Sequence, residues 1–230
     1  MARFSVICFD ADDTLWVNEP YFQEAEGRFA ALLEDFLPHH SVSRELLQTE
    51  IANLPIYGYG VKAFMLSMVE TALRISANTL RPESIHQIIS IGRDLLDRPI
   101  ELLEGVEETL GALKGHYRLV VATKGDLLDQ ERKLEKSGLA PYFHHIEIMS
   151  EKREGDYAKL LRHLDIPAER FMMVGNSLKS DVLPVLALGG HGVHVPYHTT
   201  WAAEKVEFEV EHANFRQVAH LREVLSFLLP

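Results

Sequence analysis

Phe4-Ser5-Val6-Ile7-Cys8-Phe9-Asp10-Ala11-Asp12-Asp13-Thr14-Leu15 is a short apolar run that ends in three carboxylates within four residues. The run has strand length, is rich in Val, Ile and Phe, and lacks polar alternation, the pattern of a strand buried on both faces. Four more runs of this kind follow, at 118–123, 145–149, 171–174 and 192–195. From the second onward they are separated by helical patterns, such as 126–137 closed by Gly138 and 154–163. That is the βαβ rhythm of a parallel sheet. The reading is a doubly wound α/β core.

Between the first and second strands the rhythm breaks, because residues 19–98 hold helical patterns and no convincing strand. Tyr21, Phe22, Ala25, Phe29, Leu32, Leu33 and Phe36 keep helical spacing. Ser43 can cap a helix carrying Leu46, Leu47 and Ile51; 61–76 and a Pro82-initiated helix follow. This predicts an inserted all-helical module over 18–98, with the α/β core made of 1–17 and 99–230. The chain re-enters the core at 99–103 and forms a helix over 106–114 that Gly115 can end.

With 230 residues, 47% hydrophobic and 25% charged, the chain falls in the ordinary globular range and global disorder is excluded. Its 23 basic and 34 acidic side chains give a net charge of −11, which repels phosphate backbones and argues against nucleic acid as a partner. The single cysteine, Cys8, permits no internal disulfide and reads as a buried structural thiol, which fits a reducing, cytoplasmic setting. The first residues do not read as a secretory signal. No stretch approaches the roughly 18 apolar residues of a membrane span, so no membrane partner is expected.

Chemistry in open α/β sheets gathers at the carboxyl ends of the strands, so the residues after Phe9 come first. Three adjacent carboxylates repel one another unless a cation or a hydrogen-bonded turn relieves them, and alternation puts Asp10 and Asp12 on one side. Taken alone, they leave a solvated acidic turn as open as a site. The rest of the chain bears on the choice. Phe9-Asp10-Ala11-Asp12-Asp13-Thr14-Leu15 resembles the first motif, DxDxT, of the haloacid dehalogenase superfamily, most of whose members are phosphatases. Val120-Val121-Ala122-Thr123 resembles the second, and Lys152 in Ser150-Glu151-Lys152 the third-motif lysine. Gly175-Asn176-Ser177-Leu178-Lys179-Ser180-Asp181 resembles the fourth, usually GDSxxxD. The motifs come in family order and the likeness spans 4 to about 195.

The resemblance implies a Rossmann-like core with a helical cap, and a Mg²⁺-dependent phosphomonoester hydrolase acting on a small soluble ester. Asp10 would be the nucleophile that forms an aspartyl-phosphate, and Asp12 the acid and base. Thr123 would offer its hydroxyl and backbone amides to the phosphoryl group, and Lys152 would neutralise charge. Asp10, the Asp12 carbonyl, Asn176 and Asp181 would form the metal site. Asn176 departs from the pattern, since an amide stands where an acid is usual and Mg²⁺ favours charged oxygen ligands.

The same likeness leaves three alternatives. A 2-haloacid dehalogenase needs no metal, but its first motif resembles DxYGT, without Asp12. A sugar phosphomutase shares DxD and a helical cap. A non-catalytic phosphate-binding protein could keep the fold with a weakened metal site. The twelve histidines do not form a zinc pattern in the sequence: His39-His40 and His144-His145 are adjacent pairs, and Pro196 spoils helical spacing between His194 and His198. They are expected on surfaces or loops. Lys124 is expected to be exposed near the site mouth, with contact to substrate as the alternative. The loop 56–60, with Tyr57 and Tyr59, and the segment 198–201, with His198 and Trp201, are candidates for substrate contact or plain packing.

Overall fold

A computed structural model of the protein describes residues 4–229. Six parallel strands form one sheet in the order β3-β2-β1-β4-β5-β6. They are β1 (Val6–Phe9), β2 (Arg118–Lys124), β3 (His145–Met149), β4 (Phe171–Gly175), β5 (His191–His194) and β6 (Phe215–Gln217). The chain builds outward from β1 to β3, then crosses back to lay β4 on the other side of β1. The strand order therefore reverses beside β1, and the carboxyl ends of β1, β2 and β4 border the crevice where such sheets bind ligands.

Residue alternation divides the core between the two sheet faces. Ile7, Phe9, Leu119, Val121, Met172 and Val174 pack with Val106, Leu110 and Leu113 of the helix Val106–Leu113 and with Val224 and Leu228. Val6, Cys8, Val120, Ala122, Phe171 and Met173 face Tyr157, Leu160, Leu161 and Leu164 of the helix Glu154–Leu164. Cys8 is fully buried and burial pushes its thiol pKa up, which suits a packing role.

The chain divides into two compact units among the described residues. The first gathers the stretch up to Glu19, Ile100–Lys124 and everything from Gln130; the second holds Pro20–Pro99 together with Gly125–Asp129. Helices α1 (Glu19–Ala31, from Pro20 onward), α2 (His39–Tyr57), α3 (Val61–Ile75) and α4 (Pro82–Asp97) lie in the second unit, around Phe29, Leu33, Leu46, Phe64, Met68 and Ile88. The segment 125–129 joins it through Asp126, whose carboxylate accepts from Lys62 at 2.9 and 3.0 Å.

Several expectations need correction. Ser43 caps nothing, because α2 begins at His39 behind Pro38, whose φ of −60° is already set for a helix entry. Helix α1 stops at Ala31, and Phe36 lies 42% exposed in the turn that follows. Tyr57 belongs to the end of α2 and donates to Glu70 at 3.0 Å, so the loop itself is only Gly58–Gly60 in extent. The fifth strand begins one residue earlier than expected. The sixth, Phe-Arg-Gln on the sheet edge, carries too little apolar signal in three residues to be seen in the sequence.

Candidate active site

The three carboxylates after β1 are sorted to three different partners. Asp10 stays in the sheet's crevice, its N–H donating to the Val174 carbonyl at 2.9 Å. Its Oδ1 accepts from Lys152 and its Oδ2 from the Thr14 hydroxyl at 3.2 Å. The Asp12 carboxylate turns to Trp16 Nε1 at 2.7 Å, Lys133 Nζ at 2.9 Å and Gln130 Nε2 at 2.8 Å. Asp13 sits at a positive φ of 61° and accepts from the Asn18 and Glu19 amides, tying the turn to the start of α1. The acidic-turn reading thus fits Asp13 and not its neighbours.

Lys152 is the hinge of the charge arrangement. It is 3% exposed and donates to Asp10 and, at 2.7 Å, to Asp181 Oδ1. The other Asp181 oxygen accepts from the Ser177 N–H at 2.9 Å, so both oxygens of this carboxylate are engaged. Burial opposes a charged Lys152, but the Asp10 and Asp181 charges outweigh it and hold the ammonium protonated. Burial and the nearby Asp181 charge push the Asp10 carboxyl above the ordinary range, against the pull of Lys152. Burial also opposes the charged form of Asp12, yet Lys133 and the hydrogen bonds from Lys133, Gln130 and Trp16 lower its pKa and keep it an anion.

Asn176 follows β4 directly. Hydrogen bonding orients its amide nitrogen toward Asp10 Oδ2 at 3.1 Å, Thr14 Oγ1 at 3.2 Å and the Asp12 carbonyl at 3.3 Å. An amide N–H can satisfy these oxygens together only because they converge. With Asn176 turned so that its own oxygen faces the same point, the set becomes a carboxylate, a main-chain carbonyl and an amide oxygen, a hard-donor group that fits Mg²⁺. Thr123, buried at the end of β2, accepts from Gln130 Nε2 at 3.2 Å.

The family model of haloacid dehalogenase-like hydrolases matches residues 4–189. The chain belongs to that family. This haloacid dehalogenase-like hydrolase is similar to a haloacid dehalogenase-like family hydrolase from Xanthomonas campestris, at 41% identity and a TM-score of 0.86, covering 98% of this chain and 92% of that one. It is 26% identical over 195 residues to the pyrimidine 5'-nucleotidase YjjG of Escherichia coli (strain K12), spanning 79% of this chain and 81% of that protein. The fold of a 2-haloacid dehalogenase from Pseudomonas syringae pv. tomato DC3000 also matches, at 18% identity and a TM-score of 0.65, over 98% of each chain. The neighbours therefore include both phosphate-ester and carbon–halogen chemistry.

Sequence reasoning about this hydrolase missed Glu204, and with it the true place of Lys124. Lys124 is not exposed: its side chain is 14% accessible and donates to Glu204 Oε1 at 2.6 Å and to the Ser180 hydroxyl at 2.9 Å. Glu204 Oε2 accepts from the Ser177 and Ser180 hydroxyls, each at 2.6 Å. One carboxylate, set just after Trp201 on the turn Ala202–Glu204, thereby fastens the loop after β4 to the end of β2. Gln130 and Lys133 also escape the motif reading, although both donate to Asp12. Their reach to Asp12 follows from the helix Leu127–Ser137, where positions 130 and 133 share a face. The His198 ring packs against that of Tyr197, with centroids 4.2 Å apart and planes tilted by 45°. Among the described residues, no helix is long and apolar enough to cross a membrane.

Proposed function

We propose that the enzyme is a Mg²⁺-dependent phosphomonoester hydrolase that acts on a small soluble phosphate ester through an aspartyl-phosphate on Asp10. The observation that carries this reading is Asp12: a second carboxylate, two residues after the nucleophile and held as an anion by Lys133, Gln130 and Trp16. Expulsion of an alkoxide needs a proton and attack by water needs a base, whereas expulsion of halide needs no proton.

Asp10 attacks phosphorus in line, and the leaving oxygen takes its proton from Asp12. For that step Asp12 must take up a proton and turn from the three donors that favour its anion. In the second half-reaction the Asp12 anion accepts a proton from the attacking water. Thr123 and the amides beyond it donate to the phosphoryl oxygens, while Lys152 offsets the charge of Asp10. Asp10, the Asp12 carbonyl and Asn176, with Asp181 beyond Lys152, would hold the Mg²⁺, which supplies charge neutralisation for the phosphoryl group. The inserted helical unit, read as a cap, supports a small ester over a macromolecule. The net charge of −11 supports a reading without nucleic acid, and the lone buried Cys8 supports a cytoplasmic setting.

The test is hydrolysis of an aryl phosphate with and without Mg²⁺, alongside 2-haloacids and a phosphoprotein. Mg²⁺-dependent release of phosphate is expected, abolished in Asp10→Asn together with phosphoenzyme trapping. In Asp12→Asn the phosphoenzyme should form from a good leaving group and hydrolyse slowly. Halide release, or full activity in EDTA, would move the enzyme to the dehalogenases; faster turnover of the phosphoprotein would overturn the cap reading.

A further inference from the structure

The edge strand β3 and the helix Glu154–Leu164 bring together three side chains that the reaction does not use. His145 and Glu147 stand two apart on β3 and so share a face. His163 comes from the last turn of the helix. His145 Nε2 lies 2.7 Å from Glu147 Oε2, and His163 Nδ1 lies 3.9 Å from the same oxygen. One ligand atom from each residue falls within 4.8 Å of the others, and the two imidazoles meet edge to face at 4.8 Å between centroids.

We propose that His145, Glu147 and His163 form a metal site of their own, selective for Zn²⁺ over Mg²⁺. Two imidazoles and one carboxylate are the donor set that suits zinc, and neutral nitrogen donors hold little attraction for magnesium. Around a tetrahedral zinc with bonds of about 2.0–2.1 Å, ligand atoms stand roughly 3.3 Å apart. The observed separations straddle that value, so modest side-chain rotations close the set. All three side chains reach solvent, at 26%, 31% and 65% accessible, which leaves freedom to rotate and lets water fill a fourth position. A hydrogen bond accounts for His145 and Glu147 alone; the second imidazole, with its Nδ1 3.9 Å from the same carboxylate oxygen, lies beyond hydrogen-bond reach of it.

The bound metal would tie β3 to the helix Glu154–Leu164. These two elements flank the loop that carries Lys152, so binding would brace the frame of the catalytic lysine without touching the reacting atoms. The site does not depend on the hydrolytic reading.

Isothermal titration of the full-length, EDTA-stripped and dialysed protein with Zn²⁺, in excess Mg²⁺, tests this. One tight equivalent per chain and a rise in melting temperature are expected. His163→Ala, an exposed helix position, should keep its metal-free melting temperature and its Mg²⁺-supported aryl-phosphate hydrolysis while binding Zn²⁺ at least tenfold more weakly. His145→Ala should behave alike, and Co²⁺ should give a visible absorption band in the wild type that His163→Ala loses. Zinc affinities equal within about threefold in wild type and His163→Ala, or no tight equivalent in the wild type, would overturn the proposal.

Discussion

Gly175 and Asp181 pack so closely that a methyl group on Gly175 would stand 2.2 Å from Asp181 Oδ2 and 2.5 Å from its carboxyl carbon. The glycine is therefore needed for space at the end of β4, where the Asp181 side chain folds back to meet Lys152. Gly175→Ala should displace Asp181, loosen Lys152 and lower activity strongly. Overpacking of this kind costs about 1–3 kcal/mol of stability. Urea denaturation and steady-state kinetics of the variant would check both, and a fully active, fully stable Gly175→Ala would contradict the packing.

Lys152 compensates two buried carboxylates at once. In Lys152→Met, Asp10 and Asp181 face each other without a cation, and breaking a buried pair in this way costs on the order of 3–5 kcal/mol. Removing one of the two charges as well, in Lys152→Met/Asp181→Asn, should recover part of that loss while leaving activity low. Denaturation of the single and double variants measures the coupling; equal stability in the two would mean that the charges do not communicate.

Glu204 gives a pH-dependent prediction. Burial disfavours its anion, but the Lys124 charge and the hydrogen bonds from Lys124, Ser177 and Ser180 prevail and hold its pKa at about 2. The folded value lies below the unfolded one, so the stabilisation is complete above the unfolded pKa and is lost as pH falls toward the folded pKa. Moving the carboxyl from 4.5 to about 2 corresponds to about 3 kcal/mol. Glu204→Gln should accordingly be less stable than wild type by roughly that amount at pH 7, with the gap closing between about pH 4.5 and 2. A stability difference that stays constant across that range would sink the assignment.

Asn176 faces Asp10 Oδ2 and the Asp12 carbonyl, so Asn176→Asp would aim a carboxylate at two oxygens. Without Mg²⁺ the variant should melt below wild type, and with Mg²⁺ it should gain more. Its apparent Mg²⁺ constant should fall by about tenfold, the equivalent of roughly 1.4 kcal/mol. Melting curves and activity across a magnesium titration read this directly. An unchanged or weaker magnesium dependence would exclude a ligand role for position 176.

The sequence by itself determined five of the six strands and the carboxylate cluster that follows the first. Val6–Phe9 and Phe171–Gly175 are legible because strands buried on both faces admit almost no polar residue, and that pressure acts at every position. Asp10, Asp12 and Asp13 are legible as a cluster because their proximity is covalent. Which of the three serves the turn was not, since that depends on the partners: the amides of Asn18 and Glu19 for Asp13, and Lys133, some 120 residues away, for Asp12. Only the tertiary structure could supply such pairings. Glu204 carries no motif of its own, and only folding sets it against Lys124, Ser177 and Ser180. His145 and His163 read as separate surface histidines until a strand and a helix place them around Glu147. Chain periodicity encodes burial within one element, whereas a hydrogen bond or ligand set across distant elements leaves no periodic trace, so it exists only once those elements are packed.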